Sequence, residues 1–166
     1  MKELKMYRKI IFPILGLVFF LSACGSQPYL KENSAFIVFK TPSFKYADMG
    51  FIYENNSEVK AEIYGSGQAL MSLTISGDSV CMSLFACMSR KEFNQQVLSV
   101  AYPDMILEHI FRGKPLFSGQ NLKKTRNGFT QNIVNQNKYN IHYTVLNNEI
   151  IFRDTINKIL VKVKKQ

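Results

Sequence analysis

The sequence predicts an α+β fold, in which an antiparallel curved sheet or unclosed β-barrel is covered on one face by two helices inserted mid-chain. Three observations lead to this fold class. Apolar and polar residues alternate with a period of two in both halves of the chain, which is typical of half-buried strands. Short turns separate these segments, so neighbouring strands are expected to pair antiparallel. A helical spacing of apolar residues interrupts the alternation once, near the middle.

The first half contains the clearest strand patterns. Residues 59–64 and 69–76 alternate strictly on either side of a Gly-Ser-Gly turn. Gly77-Asp78 then predicts a tight hairpin. Strands are expected over residues 35–39, 50–53, 59–64, 69–76 and 79–84.

Two helices are expected between residues 89 and 113. Ser89 and Glu92 have the spacing of a capping box, which begins the first helix. Pro103 suits the first turn of the second helix, and Gly113 suits its C-cap. The apolar faces comprise Phe93, Val97, Val100 and Ala101 in the first helix and Met105, Ile106, Ile110 and Phe111 in the second.

Strand patterns resume after Gly119, and Asn147-Asn148 predicts a hairpin turn between two of them. Because the helices interrupt two runs of strands, we expect them to lie together on one face of the sheet. Strands are expected over residues 129–134, 140–146, 149–152 and 158–164.

The N-terminal segment is typical of a bacterial lipoprotein signal. Basic residues precede the apolar run Ile10–Phe20, which is shorter than the roughly 20 residues that span a bilayer. Leu21-Ser22-Ala23-Cys24 follows and has the features of a lipoprotein cleavage site. We therefore expect a signal peptide over residues 1–23, a tether over 24–33 that begins with lipidated Cys24, and one folded domain over 34–166. The alternatives are an ordinary secretory signal with a chance cysteine, or an uncleaved anchor helix.

This signal predicts a location in the cell envelope, with the mature protein attached to a membrane through its N-terminal acyl chains. Gly25 follows the cysteine. In known lipoproteins an aspartate at that position favours retention at the inner membrane. We therefore expect the outer membrane, with the domain facing the periplasm.

The chain has a formal net charge of +9. Lys158, Lys162, Lys164 and Lys165 place part of this charge near the C-terminus, where it could attract anionic lipid at close range. A solvated face is the simpler explanation. No nucleic-acid recognition motif accompanies the charge, so nucleic acid is not an expected partner.

Catalytic patterns are weak. His109 and His142 have no partner motif. Gly77-Asp78-Ser79 matches the nucleophile tripeptide of GDS-type esterases, but the matching Asp-x-x-His block is missing. The histidines and cysteines lack the spacing of metal ligands. We therefore expect neither an enzyme nor a metal or cofactor site.

Cys81 and Cys87 remain once Cys24 is lipidated. An even pair in an oxidising compartment predicts a disulfide. Two free thiols, one of them buried, are the alternative.

Three segments resemble the LolB/LolA-like family of outer-membrane lipoprotein localisation receptors. Ile63–Leu73 followed by Ser76-Gly77-Asp78 is similar to the paired central strands of that family, and Tyr102–Gly113 is similar to its second helix. The end of the chain, Ile150–Phe152 and Lys158–Val163, is similar to its closing strands. The family's characteristic tryptophans are missing, since this chain has none.

The resemblance implies an unclosed antiparallel barrel with helices across its mouth and an apolar cavity for acyl chains. It also implies an exposed apolar loop, for which Gly65–Leu70 is the candidate by position. Inward aliphatic and aromatic residues suit such a cavity, and they suit an ordinary core equally well. The expected lining residues are Ala61, Ile63, Met71, Leu73, Ile75, Val97, Ile106, Ile110, Phe111, Tyr143 and Val145.

Two functions follow from these expectations. The first is an anchored lipoprotein that binds acyl chains or lipoproteins, which it could receive from a periplasmic carrier protein for outer-membrane insertion. The second is a structural or assembly lipoprotein with a filled core that binds an envelope protein. An envelope hydrolase is a weak third. A continuous apolar cavity would distinguish the first from the second.

The lipid anchor is tested by Cys24→Ala. Because the thiol of Cys24 is the expected site of acylation, this variant should lose metabolic labelling with a radioactive fatty acid and accumulate as the uncleaved precursor. Ser26→Ala is the control and should be labelled and processed normally. Normal labelling of Cys24→Ala would refute the lipoprotein assignment.

Overall fold

In the part of the chain that the structure describes, eleven strands form one antiparallel sheet that is not closed. The computed structural model describes residues 28–83 and 86–166, so the expected signal peptide and Cys24 lie outside the described residues. The strands are β1 (Lys31–Lys40), β2 (Lys45–Glu54), β3 (Glu58–Gly65), β4 (Gln68–Ser76), β5 (Ser79–Met82), β6 (Met88–Ser89), β7 (Leu122–Thr125), β8 (Gly128–Asn135), β9 (Tyr139–Leu146), β10 (Glu149–Asp154) and β11 (Ile159–Lys165). Their spatial order is β6-β5-β4-β3-β2-β1-β11-β10-β9-β8-β7, so the first and last strands of the chain are neighbours at the centre.

Two short helices connect the edge strands β6 and β7, and their apolar side chains share one core with the sheet. They are α1 (Arg90–Val97) and α2 (Ile106–Arg112). The predicted fold class is therefore confirmed, as an open antiparallel sheet with two helices inserted mid-chain. No helix of the described ranges is long and apolar enough to cross a membrane.

The strand pairing extends further than the apolar pattern predicts. Strand β1 begins at Lys31 rather than at Ser34, because the polar residues 31–33 pair with the end of β2. The last three residues of the expected tether therefore belong to the folded domain. Strand β7 was not predicted, since its sequence Leu-Lys-Lys-Thr is mostly polar and lies exposed at the sheet edge.

The helices are shorter than predicted. The capping box of α1 is confirmed, because the Ser89 hydroxyl accepts from the Glu92 backbone and the Glu92 carboxylate accepts from the Ser89 backbone. The backbone leaves helical geometry at Leu98, and the predicted face residue Val100 is therefore 73 % exposed. The second helix begins after a turn in which Ile106 N–H donates to the Pro103 carbonyl, so Pro103 precedes the helix.

Gly113 ends α2 with a left-handed φ of 64°, as its C-cap role predicts. A Cβ at this position would lie 3.3 Å from Val145 and 3.4 Å from Ile150. Glycine therefore permits both the backbone turn and the close approach of α2 to the hairpin of β9 and β10.

The strands separate two groups of turns, and along β1, whose ten residues rise about 3.3 Å each, the sheet extends about 33 Å. We call the end at which β1 begins the tether end, and it includes the turns at 55–57, 77–78 and 147–148. The opposite end, called the far end, includes the turns at 41–44, 66–67 and 155–158.

Cys81 and Cys87 are joined by a disulfide, the pairing that the sequence suggested. Ser79 and Val80 of β5 pair with Ser89 and Met88 of β6, and the disulfide continues this register toward the far end. It therefore closes the hairpin between the two strands at the sheet edge.

The disulfide is tested by thiol counting and by stability. Alkylation of the unfolded, non-reduced protein should find neither Cys81 nor Cys87 free. The double substitution Cys81→Ser/Cys87→Ser should lower the free energy of unfolding by about 2 kcal/mol, because opening so short a loop restores limited chain entropy to the unfolded state. Two alkylated thiols in protein isolated from its native compartment would contradict the pairing.

Candidate functional site

The concave face of the sheet and the helices above it bring together all the predicted lining residues. Those from the strands alternate with outward-facing neighbours and point to the helices. Val145 is half-buried and packs against the others, which are buried in a single core. The sequence therefore predicted which side chains share the interior.

This interior is filled in the described structure. Apart from Val97 and Val145, every predicted lining residue is at most 1 % exposed. A void large enough to admit water would leave some of these side chains partly accessible. The helix residues Ile106, Ile110 and Phe111 therefore occupy the concave face where an acyl chain would have to lie. Acyl binding at this face requires the helices to move.

A cluster of charged residues fastens the helices at the tether end. Arg90 at the start of α1 contacts Glu108 of α2 at 2.6 Å, and Arg112 of α2 contacts the same carboxylate at 2.8 Å. Arg112 also lies 3.8 Å from Glu54 of β2, which in turn lies 3.2 Å from Lys165 of β11. Both helices are thus linked to each other, and α2 is linked to the central strands.

Electrostatics favour the charged form of Glu108. Burial by itself would raise the pKa of this carboxyl, but hydrogen bonds from Arg90 and Arg112 outweigh it and hold the pKa below its usual value. Within the described chain, one buried donor of the cluster, Nη1 of Arg90, has no partner. An unpaired buried donor costs desolvation free energy, so the cluster is not an optimised stabilising contact.

A second polar contact fastens the connection between the helices at the far end. The Tyr102 hydroxyl donates to Asp154 at 2.5 Å, and the Asn157 amide donates to the same carboxylate at 2.7 Å. The Asn140 N–H also donates to Asp154, at 3.1 Å. Burial alone would raise the pKa of Asp154, but these hydrogen bonds outweigh it and lower the pKa.

The hairpin of β3 and β4 reaches the far end, where the resemblance places an apolar loop. Ser66 and Gly67 have positive φ values of 51° and 78°, as a tight two-residue hairpin turn requires. Leu70 is 47 % exposed and lies against Gly65. Ala69 is also exposed and does not belong to the interior wall.

The candidate catalytic residues are not brought together. His109 contacts the Pro115 carbonyl from α2, whereas His142 contacts Asn132 on the outer face of the sheet. The Ser79 hydroxyl donates to the Ser76 carbonyl within its hairpin. No group of three metal-ligating side chains occurs in the ranges 28–83 and 86–166.

Comparison with protein-family models and with curated proteins finds no match for this chain.

Sequence reasoning missed both polar contacts. Glu108 and Arg112 stand four residues apart on one helix, a spacing that could have indicated an ion pair. Tyr102 and Asp154 are separated by 52 residues and share no motif, so only the tertiary structure brings them together.

The Tyr102–Asp154 contact generates a prediction about pH. Because the folded-state pKa of Asp154 is lowered, its contribution to stability is complete at neutral pH and is lost as the pH falls below the usual value of 3.8. Asp154→Asn should therefore reduce the free energy of unfolding by about 1–3 kcal/mol at pH 7 and by less at acidic pH. Urea unfolding at several pH values measures this.

The matched control is Asp104→Asn, which removes an exposed carboxylate. It should change stability little at any of these pH values. An Asp154→Asn effect that is equal at neutral and acidic pH would rule out the charged carboxylate as its cause.

Proposed function

We propose that this protein is a membrane-anchored envelope lipoprotein that binds the acyl chains of lipids or lipoproteins on the concave face of its sheet. In this proposal α1 and α2 form a displaceable cover. The observation that carries it is an open sheet whose apolar concave face is covered by two short helices. The resemblance to LolB/LolA-like receptors implies the same arrangement.

The construction of the cover supports displacement. The helices contain eight and seven residues, and helices of this length have little stability without tertiary contacts. Polar contacts fasten them at the tether end through Arg112 and Glu54 and at the far end through Tyr102 and Asp154. An acyl chain that replaced their apolar faces would gain about 0.8 kcal/mol for each methylene that it buries.

The position of the anchor supports delivery from the far end. Lys31 is seven positions after Cys24, so the chain between them spans at most about 25 Å. The sheet extends about 33 Å from that point to the far end. With the sheet standing upright on the membrane, the hairpin with exposed Leu70 faces the periplasm, where a carrier protein would approach.

The filled interior favours the second function, a structural or assembly lipoprotein that binds an envelope protein. In that case the helices remain on the sheet and no acyl chain enters. The two functions therefore differ in one measurable property, which is access of an acyl chain to the concave face.

This access is tested with a tryptophan reporter, since the chain has no natural tryptophan. Phe111→Trp places an indole on the buried face of α2, and Phe51→Trp places one on the outer face of β2. Each variant of the domain of residues 28–166 is titrated with a brominated fatty acid. The fluorescence of the Phe111→Trp variant should be quenched saturably and that of the Phe51→Trp variant much less, because bromine quenches only at short range.

A wall substitution gives the second half of the test. Adding Ala61→Phe to the Phe111→Trp variant should weaken the saturable quenching, because Ala61 lies on the concave face opposite Ile52 and Leu73. Ala69→Phe is the matched control at an exposed site and should leave it unchanged. No saturable quenching, with only the stability loss of about 1–3 kcal/mol expected from overpacking by Ala61→Phe, would favour the structural function.

A further inference from the structure

A basic cleft lies at the far end, on the outside of the sheet. It is lined by residues of the β1–β2 turn and the β10–β11 turn, and its volume is about 600 Å³. Four cationic side chains line it, those of Lys40, Lys45, Arg153 and Lys158. The cleft is separate from the concave face, since none of the predicted acyl-binding residues lines it.

Strand register places three of these cations, those of Lys40, Lys45 and Arg153, on one face. Lys45 pairs with Lys40, Lys40 pairs with Leu160, and Leu160 pairs with Arg153. Directly opposed residues point to the same side of a sheet, and neighbouring strands are about 4.8 Å apart. The backbones of Lys40 and Arg153 are therefore about 10 Å apart, which allows both long side chains to reach one group held above Leu160.

The positive charge of the cleft is uncompensated. Within the described residues, none of its four cations makes an ion pair or a side-chain hydrogen bond. Other lysines of the sheet have partners, as in the pair of Lys162 with Glu149 at 2.8 Å and that of Lys60 with Glu62 at 2.6 Å.

Asp154 does not neutralise the cleft, although it is the one carboxylate among the lining residues. It is 1 % exposed, and its oxygens accept from Tyr102, Asn157 and the backbone. The direct pairing of Lys40 with Lys45 is moreover unfavourable, because like charges opposite each other destabilise a strand pair. A bound anion would remove that repulsion.

We propose that this cleft binds a phosphate group. A guanidinium can hold two phosphate oxygens at once, and lysine ammonium groups supply further charge around the same group. The volume of the cleft exceeds that of a bare phosphate ion, so it leaves room for an organic substituent. Free phosphate and a lipid headgroup present this same chemistry.

The test is titration calorimetry on the mature full chain in a non-ionic detergent at low ionic strength. The probes are inorganic phosphate, glycerol 3-phosphate and the headgroup diester glycerophosphoglycerol. We expect saturable binding that weakens with added sodium chloride, because salt screens exposed charges. Tighter binding of the glycerol phosphates would identify a lipid headgroup as the source, and equal or tighter binding of inorganic phosphate would identify the free ion.

Two double variants remove equal charge at different places. Lys40→Gln/Arg153→Gln should weaken phosphate binding about tenfold or more, because two charged hydrogen-bond donors are lost. Lys123→Gln/Lys124→Gln, on the exposed strand β7, should change it less than about twofold. Arg153→Lys keeps the charge but removes the guanidinium, so its loss of phosphate affinity should be intermediate. This conservative variant keeps the proposal testable if the double variant fails to fold.

Absence of saturable phosphate binding would overturn the proposal. So would equal weakening by the two double variants, since that result would mean a general effect of net charge. Because the acyl-binding residues are unchanged in these variants, failure here is distinguishable from failure of the acyl-binding proposal.

Discussion

The structure depends on one constraint, which is that the concave face of an open, apolar sheet must be covered. A sheet of this kind cannot leave its inward aliphatic and aromatic side chains in water, where each would cost about 1.5–3 kcal/mol relative to burial. Two short helices meet this requirement with Ile106, Ile110 and Phe111. Strand pairing at the centre, between β1 and β11, joins the two halves of the chain beneath them.

The helices are held at their margins by polar groups rather than by further apolar packing. A charged cluster of Arg90, Glu108 and Arg112 lies at one end. At the other end, the neutral hydroxyl of Tyr102 donates a hydrogen bond to the carboxylate of Asp154. Buried ion pairs contribute little net stability, because desolvation offsets much of their attraction. These polar contacts instead define the position of the helices on the sheet, because each contact forms in only one placement of the helices. A cover positioned in this way suits either a permanent core or a face that opens to a ligand.

The two ends of the sheet have different chemistry. At the tether end, Arg112 and Lys165 are matched by Glu54. At the far end, Lys40 and Arg153 have no such partners among residues 28–83 and 86–166. Leu70 is exposed at the same end, on the β3–β4 hairpin. Uncompensated positive charge attracts anionic groups at close range. This charge is the basis of the phosphate-binding proposal for the far end.

The sequence by itself determined the fold class and most strand side chains of the interior, whereas the predicted helix-face residues Val100 and Met105 are exposed. Alternation identified Ala61, Leu73 and Tyr143 as inward-facing, because a strand places every second side chain on the same face. The helix caps were also predictable from the sequence, because the Ser89–Glu92 capping box and the Gly113 C-cap depend only on neighbouring residues. Polar strands such as β7 were not predictable from the sequence, because an edge strand forms through backbone pairing and needs no apolar pattern.

Only the tertiary structure decided how the helices sit on the sheet and which charges remain unpaired. The Tyr102–Asp154 contact joins residues far apart in the chain, and so does the placement of Arg153 beside Lys40. Such contacts follow from strand order and register. The period-two pattern of apolar residues predicts which face of the sheet a side chain is on, but not which strand lies beside it. Whether the interior is filled was likewise undetermined by pattern, because an acyl-binding wall and a packed core require the same apolar side chains. In the structure, α1 and α2 lie on that face, and their apolar side chains pack against those of the strands.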